Sequence, residues 1–284
     1  MADDVPPEVV DALTATALEI RREVVRMTYR AQSGHPGGSL SAVELLTALV
    51  FRELRIDPAR PTLPDRDRFV LSKGHAAPAL YAALALRGFF PRTELPTFRQ
   101  FGSRLQGNPD RRRLPGVDAS TGGLGQGIGM AVGMALDAAI AHGPARTYAL
   151  VGDGECQAGA TWEAFLVGAH QRLGGLTVMI DRNRFQGDGA TEEILEIEPL
   201  VDKLKAFGWR TAEIDGHDFP EILRALAAAR TSADRPTAIV AHTVKGKGVS
   251  FMENSAGWHG RAPTRDEAER ALGELGSSLE GPVP

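Results

Sequence analysis

The fold is decided by residues 148–183, which read YALVGDGECQAGATWEAFLVGAHQRLGGLTVMIDRN. Two short apolar runs, 148–151 and 176–180, stand on either side of a stretch with helical character at 159–172. A strand, a helix and a second strand in this order predict a right-handed crossover that joins two parallel strands. The segment therefore predicts one βαβ unit of an α/β fold.

The same alternation of strand and helix continues on both sides of this unit. Further strands are predicted at 68–71, 209–214 and 237–241, and helices at 8–31, 39–54, 199–207 and 220–230. Another alanine-rich helix follows the turn at 72–75 and ends at about residue 87. Ser39 is the expected N-cap of the second helix. The pattern predicts an α/β fold with a mostly parallel sheet and helices on both faces. We expect one domain over residues 1–262, followed at 263–284 by a C-terminal helix and a flexible tail.

The composition is that of a globular protein with a substantial core. Of the 284 residues, 43% are apolar and 24% are charged, and the net charge is −4 with both signs interspersed. This balance offers no basic surface for nucleic acid or a membrane, and neither partner is expected. The single cysteine, Cys156, excludes an internal disulfide bond. Because the acidic N-terminus also lacks an apolar signal region, we expect a cytoplasmic protein.

Polar residues directly follow the two strands of the central unit. Gly152-Asp153-Gly154-Glu155 comes after the first strand, and Asn183 follows the second. Ligands of parallel α/β sheets bind beyond the carboxyl ends of the strands, and both side chains offer the hard oxygen atoms that Mg²⁺ and Ca²⁺ prefer. The flanking glycines let a diphosphate approach backbone N–H groups. Gly-Asp-Gly alone is typical of a simple turn, so only the pair predicts a metal–diphosphate site.

Five further motifs occur around this pair in one order. They are Ser33-Gly34-His35-Pro36-Gly37, Ser72-Lys73-Gly74-His75, Ser120-Thr121-Gly122-Gly123-Leu124-Gly125-Gln126-Gly127, Asp215-Gly216-His217 and Trp258-His259-Gly260. Together with the Asp153–Asn183 pair they resemble the thiamine-diphosphate signature and the successive motifs of the transketolase family, over about residues 10–262. The resemblance implies the thiamine-diphosphate-binding fold, in its pyrophosphate-binding domain. It implies thiamine diphosphate and Mg²⁺ (or Ca²⁺ or Mn²⁺) as cofactors.

The resemblance also implies roles for individual residues. The metal ligands would be Asp153, Asn183 and the carbonyl of Phe185. Cofactor contacts are implied for His75, Gly122, Gly123, Leu124, Gly152, Asp153, Gly154, Glu155, Asn183, Phe185, Lys245 and His259. For Lys245 a solvated surface lysine is the alternative interpretation. His217 is assigned to a turn before a helix that Asp218 caps, outside the site.

The remaining implied roles concern catalysis and substrate. His35, His75 and His259 are implied to be catalytic, because imidazole titrates near neutral pH and both donates and accepts hydrogen bonds. His35, Asn108 and His259 are implied to contact the substrate. Asn108 departs from the family, in which a histidine usually contacts the donor sugar. An asparagine still donates and accepts hydrogen bonds but cannot take up and release a proton near pH 7. Ala158 departs as well, because transketolases carry there a glutamate that joins the two active sites.

The resemblance covers only the diphosphate-binding half of a transketolase. Full-length members are well over twice as long, and their pyrimidine-binding half supplies a glutamate that hydrogen-bonds the aminopyrimidine ring. No segment of this chain resembles that half. We therefore expect a separate pyrimidine-binding subunit, in an α₂β₂ assembly with active sites at its interface. A fragment of a longer protein is the alternative.

The leading interpretation is a transketolase-like enzyme that transfers a two-carbon ketol unit from a ketose (phosphate) donor to an aldose. The small-molecule substrate is a sugar or a keto acid. Because of Asn108, an acyloin synthase that transfers an acetyl unit from pyruvate is one alternative. A non-catalytic diphosphate-binding regulator is the other, although a regulator has no need of His35.

Overall fold

A five-stranded parallel sheet forms the centre of residues 5–280, the part of the chain that the computed structural model describes. Its strands are β1 Arg68–Leu71, β2 Thr147–Gly152, β3 Leu176–Arg182, β4 Arg210–Asp215 and β5 Thr237–His242. They lie in the order β1-β2-β3-β5-β4, and every neighbouring pair is parallel. The predicted α/β fold is confirmed, and every predicted strand is present.

Helices cover both faces of this sheet. They are α1 Pro7–Ala31, α2 Pro36–Ser41, α3 Val43–Ala48, α4 Ala77–Arg87, α5 Gln126–Ile140, α6 Gly159–His170, α7 Thr191–Ile194, α8 Leu200–Ala206, α9 Phe219–Arg230 and α10 Arg265–Glu274. One apolar cluster joins a face of the sheet to α1, α3, α4, α9 and α10, and a second joins the opposite face to α5, α6 and α8. Because both faces are covered, the central strand β3 is buried along its whole length. Among residues 5–280, no helix combines the length and the apolar character that a membrane span requires.

The predicted helix 39–54 is replaced by three shorter segments, and the prediction that Ser39 caps it is wrong. Helix α2 begins at Pro36, whose ring presets the helical φ angle and whose missing N–H group needs no partner in a first turn. Ser39 therefore lies inside the helix, where its hydroxyl donates to the carbonyl of His35 at 2.7 Å. Helix α3 follows after a one-residue break, and Leu49–Glu53 continues as a π-helical turn.

The C-terminal helix packs onto the same core as the rest of the chain. Helix α10 lies against α1, and its Leu272 is fully buried. The residues that follow α10 are bound by Arg26 of α1. Its guanidinium donates to the hydroxyl of Ser277 at 2.6 Å and to the carbonyl of Ser278 at 3.1 Å. The predicted flexible tail is thus held against α1 as far as Ser278, and residues 281–284 lie outside the described part. A domain boundary at residue 262 stays a prediction.

The register of β2 and β3 brings the two predicted metal ligands to one edge of the sheet. Gly152 pairs with Asp181, so Asp153 and Asn183 follow at neighbouring strand ends. The N–H group of Asp153 donates to the carbonyl of Asp181 at 3.2 Å. Strand β5 flanks β3 on its other side, and therefore the segment that follows it, residues 243–248, begins at the same edge.

Candidate functional site

Asp153 and Asn183, the metal-binding pair predicted from the sequence, line one cavity of about 360 Å³ at the carboxyl edge of the sheet. Phe185 lines it as well, and its N–H group donates to Oδ1 of Asn183 at 3.1 Å. The N–H group of Arg184 donates to the carboxylate of Asp153. The two strand-end loops are therefore in direct contact, and a carboxylate and a carboxamide meet at a common cavity.

The carboxamide of Asn183 is oriented by a buried network. Its Nδ2 group donates to the hydroxyl of Ser41 at 3.1 Å and to the carboxylate of Asp181 at 3.3 Å. The same carboxylate accepts hydrogen bonds from Lys73 and Thr243. Although burial alone would raise the pKa of Asp181, the Lys73 ammonium lowers it, so this carboxylate is ionised and acts only as an acceptor. The network binds Nδ2 and so leaves Oδ1 as the atom of Asn183 that can bind a cation.

The carboxylate of Asp153 is held by a buried arginine. Nη1 of Arg182 lies 3.1 Å from Oδ2 of Asp153. Arg182 also pairs with Glu192 and Glu198, so its charge is shared among three carboxylates. Burial raises the pKa of Asp153, and the nearby charge of Asp181 adds to this rise. A bound divalent cation would relieve both effects, because it compensates a negative charge that burial penalises.

Three histidine rings from distant parts of the chain meet beside this cavity. The ring centroids lie 5.4 Å apart for His35 and His75, 5.4 Å for His35 and His259, and 5.0 Å for His75 and His259. Burial lowers the pKa of each ring, to about 3 for His259, so the neutral form dominates at pH 7. Among the described residues, Nδ1 of His35 has no hydrogen-bond partner although it is buried. A neutral imidazole offers one donor and one acceptor, which suits proton exchange with a hydroxyl group.

Lys245 brings positive charge to the cavity. Its ammonium group lies 3.2 Å from the carbonyl of Phe185 and 2.9 Å from Nδ1 of His259. Burial lowers the pKa of Lys245 to about 8, so the cationic form still dominates at pH 7. Lys73, the other lysine that lines the cavity, pairs with Asp181, whereas no carboxylate within residues 5–280 lies within ion-pair distance of Lys245. Lys245 is thus a buried cation suited to an anionic ligand rather than a solvated surface lysine.

The cavity is lined largely by residues that the sequence predicted. They are His75, Leu124, Gly152, Asp153, Gly154, Glu155, Asn183, Phe185, Lys245 and His259. The carboxylate of Glu155 accepts hydrogen bonds from Ser72 at 2.6 Å and from the N–H group of Gly125 at 2.9 Å, so it already holds the glycine-rich turn in place. The proposed contacts of all these residues with a cofactor stay predictions.

Gly122, Gly123 and Asn108 are not among the residues that line this cavity. Gly122 packs against the side chain of Asn108, because a Cβ atom added at Gly122 would lie 3.0 Å from Nδ2 of Asn108. Gly122 also has a φ angle of +150°, which residues with a side chain rarely adopt. Asn108 is otherwise exposed, and its carbonyl accepts a hydrogen bond from Tyr81 at 3.2 Å. The implied cofactor and substrate roles of these three residues stay predictions.

Several residues of the site were not predicted from the sequence. Lys73 lines the cavity and pairs with Asp181, and Gln157, Ala158, Gln186, Gly187 and Asp188 line the cavity as well. A signal in the sequence would be a place directly after a strand, and Asp181 lacks it because it lies inside β3, which ends at Arg182. Residues 186–188 carry no such signal, because they reach the cavity only through a loop that folds back, with the N–H group of Gln186 donating to the carbonyl of Gly189 at 2.9 Å.

The arrangement fits a divalent cation that carries a diphosphate. Within residues 5–280 there is no cluster of three or more His, Cys, Asp or Glu side chains that could hold a metal ion. A cation in this cavity would therefore take one carboxylate and neutral oxygen atoms, from Asp153, Asn183 and Phe185. Such a set leaves positions for phosphate oxygens and water, as Mg²⁺ sites usually do. Lys245 can balance the charge that the cation leaves on the diphosphate.

The fold and the cavity define a class of protein: an α/β domain that can hold a cation and a diphosphate at the carboxyl edge of its sheet. The family model described as "Transketolase, thiamine diphosphate binding domain" matches residues 13–282. The chain belongs to this family.

The relatives fall into two length classes. The 6-deoxy-6-sulfo-D-fructose transketolase subunit SqwG of Clostridium sp. is 47% identical over 85% of this chain and 88% of that protein. An apulose-4-phosphate transketolase subunit of Phocaeicola vulgatus is 40% identical over 95% of this chain and 96% of that protein. The solved transketolase of Campylobacter jejuni superposes with a TM-score of 0.89 at 32% identity, over 95% of this chain but only 44% of that one. The chain thus spans less than half of this solved transketolase.

Proposed function

We propose that this chain is the diphosphate-binding subunit of a two-component transketolase. It binds thiamine diphosphate through Mg²⁺ and acts in the cytoplasm with a separate pyrimidine-binding subunit, in an α₂β₂ assembly. The reaction is transfer of a two-carbon ketol unit from a ketose or ketose phosphate to an aldose. The observation that carries the proposal is the convergence of Asp153, Asn183 and Phe185 on one cavity that Lys245 and His259 also line.

In this proposal four residues of the cavity and the neighbouring His35 have separate tasks. Asp153, Asn183 and the Phe185 carbonyl hold the cation, and Lys245 donates to the diphosphate. Bound thiamine diphosphate supplies the nucleophilic carbon and the electron sink that cleavage of a carbon–carbon bond requires. In this proposal His35, whose ring lies beside those of His75 and His259, accepts a proton from a substrate hydroxyl and returns it to the product, because a neutral imidazole offers both a donor and an acceptor.

Two observations support a separate partner chain. Two relatives that bear the name of a subunit match this chain over most of their own length, whereas the solved transketolase of Campylobacter jejuni is more than twice as long. In addition, Leu124 lines the cavity and yet is 56% exposed. A second chain that closed the cavity would cover this apolar side chain and exclude water from the reacting atoms.

The isolated chain is expected to show no ketol transfer above background, and to gain it when mixed with the pyrimidine-binding subunit. The physical reason is that the cavity, at which Leu124 is exposed, stays open to water until a second chain covers it. The measurement is a coupled ketol-transfer assay of each chain alone and of the mixture, all with thiamine diphosphate and Mg²⁺, with light scattering to give the stoichiometry. Full activity of the chain alone would contradict the two-component proposal.

Replacing Asn108 with histidine is expected to raise kcat/KM for ketose donors about tenfold relative to pyruvate, because histidine can transfer a proton at a sugar hydroxyl and asparagine cannot. The same assay with a ketose phosphate and with pyruvate as competing donors measures the ratio. Gln106→His, in the same loop, is the matched control and should leave the ratio unchanged. An unchanged ratio in the Asn108 variant would remove the link between this residue and donor choice.

The same assay distinguishes ketol transfer from the alternative activity, acyloin synthesis from pyruvate. Asn108 favours an acyloin synthase that uses pyruvate, because an asparagine cannot exchange a proton with a sugar hydroxyl near pH 7, as the usual histidine can. Turnover of pyruvate but of no ketose by the mixed chains would establish that function instead. A purely regulatory protein is less well supported, since binding a diphosphate gives no task to His35, whose ring lies beside those of His75 and His259.

A further inference from the structure

Buried Arg21 and Glu44 form a cluster with half-buried His217. The three residues come from α1, α3 and the turn after β4. The carboxylate of Glu44 accepts from Nη2 of Arg21 at 2.8 Å and lies 2.9 Å from Nδ1 of His217. Burial alone would raise the pKa of Glu44, but the hydrogen bond from His217 and the charge of Arg21 lower it, so the carboxylate is ionised. Such a cluster is costly to desolvate, and stability by itself does not account for it.

Both ends of this cluster hold the backbone of one segment. The N–H group of Val244 donates to Nε2 of His217 at 2.8 Å, and Nε of Arg21 donates to the carbonyl of Lys247 at 3.0 Å. Because Nε2 accepts a hydrogen bond, the proton of the neutral ring lies on Nδ1 and points to Glu44. One tautomer of His217 thus connects the buried carboxylate to the backbone of Val244.

Lys245 lies between the two anchor points. Its ammonium group contacts the Phe185 carbonyl and His259, as described above. Residues 243–248 belong to no helix or strand, so single contacts rather than a regular ladder fix their backbone. Besides the two anchors, the N–H group of Gly246 donates to the carbonyl of Gly37 at 3.0 Å, and the carbonyl of Lys245 accepts from the N–H group of Asn254 at 2.9 Å. If this backbone were free, a ligand would have to order it and would lose affinity through the conformational entropy of each ordered residue. The anchors at Val244 and Lys247 are the side-chain contacts among those that hold the stretch of backbone on which the position of Lys245 depends.

We propose that His217, acting with Glu44 and Arg21, is a positioning residue that fixes residues 243–248 and so keeps Lys245 in the cavity. The effect on ligand binding rests on the proposed function, whereas the fixing of the segment does not. For His217 the sequence predicted only a turn before α9. Asp218 does cap that helix, since its side chain accepts from the N–H group of Glu221 at 2.7 Å, and this leaves the His217 ring free for another task.

Two conservative variants separate the two hydrogen bonds of His217. In His217→Asn the side-chain amide reaches the place of Nδ1 and can still donate to Glu44, but nothing reaches Val244. In His217→Gln the amide oxygen reaches the place of Nε2 and can still accept from Val244. His242→Asn is the matched control, because Nε2 of His242 forms a hydrogen bond of 2.7 Å with Glu213 in an exposed pair.

The first measurement is hydrogen exchange at the N–H group of Val244 in the full chain. We expect exchange about tenfold faster in His217→Asn, and near the wild-type rate in His217→Gln and His242→Asn. Arg21→Lys keeps a charge for Glu44 but lacks the Nε donor to Lys247, so it tests the other anchor and guards against failure of His217→Asn to fold. Unchanged exchange in folded His217→Asn and Arg21→Lys would overturn the proposal.

The second measurement is the apparent KM for thiamine diphosphate of the assembled enzyme with Mg²⁺. We expect His217→Asn to raise it about tenfold with kcat at saturating cofactor nearly unchanged, and His217→Gln to restore it. Faster exchange with an unchanged KM would overturn the positioning role. If the wild-type protein binds no thiamine diphosphate, the proposed function fails, and the exchange rates alone then decide whether His217 fixes the segment.

Discussion

Replacing Asp153 with alanine is expected to weaken Mg²⁺-dependent binding of thiamine diphosphate at least about a hundredfold, or roughly 2.8 kcal/mol. The variant removes the one carboxylate among the three proposed ligands, and neutral oxygens alone hold Mg²⁺ poorly. Calorimetric titration of the assembled protein, with and without Mg²⁺, measures the loss. Without Mg²⁺ the variant and the wild type should bind equally weakly, because the proposed role of Asp153 is to hold the cation.

Asp188→Ala is the matched control for this experiment. Asp188 also lines the cavity but is exposed and is not a proposed ligand. Its removal should change the affinity little, whereas an equal loss in both variants would show that general negative charge, not coordination by Asp153, attracts the cation. Circular dichroism of Asp153→Ala is needed as well, since Arg182 loses one of its three carboxylate partners. Tight Mg²⁺-dependent binding by a folded Asp153→Ala protein would contradict the proposed metal site.

Replacing Lys73 with methionine is expected to lower the free energy of unfolding by about 3–5 kcal/mol. The substitution keeps an apolar stem of similar length but leaves the carboxylate of Asp181, which is fully buried, without its cation. The remaining donors to Asp181 are Ser41, Thr243 and Asn183, which carry no charge. Urea unfolding measures the loss, as a lower midpoint with an unchanged slope.

Two variants test the cause of this loss. Lys205→Met removes a lysine from an exposed pair with Asp202, and its unfolding midpoint should stay at the wild-type value. In the double variant Lys73→Met, Asp181→Asn both charges are absent, and part of the lost stability should return because no uncompensated charge remains buried. If the double variant is as unstable as the sum of its single changes, the buried charge is not the cause.

Local patterns in the sequence were sufficient for the strands. Four of the five predicted strands are short apolar runs bounded by glycine or polar residues, and burial on both faces of a parallel sheet requires such a run. The fifth, β4, mixes polar and apolar residues and lies at the edge of the sheet. The same patterns were insufficient between residues 36 and 54. There the sequence predicts one helix, whereas Pro36 starts the helix earlier and the backbone breaks before α3. Packing of this region against α1 and α4 decides its shape, and periodicity along the chain does not record such contacts.

The candidate site likewise has features that the sequence predicted and others that depend on tertiary contacts. The positions of Asp153 and Asn183 were predictable because each directly follows a strand, and the order of parallel strands brings both to one edge. The role of Asp181, which orients the amide of Asn183, was not predictable, because Lys73, Ser41 and Thr243 meet it from three distant segments. Sequence spacing carries no information about which side chain contacts another when the two belong to distant segments.

The Asp153–Asn183 pair is therefore what the sequence alone determined, together with the α/β sheet that carries it and the family to which the chain belongs. Only the tertiary structure decided that Oδ1 rather than Nδ2 of Asn183 is available, which charges lie beside the pair, and that Lys245 is buried without a carboxylate partner within the described residues. The physical reason is that strand ends follow from local hydrophobic pattern, whereas pKa values and side-chain orientations depend on neighbours that only folding brings within a few ångströms.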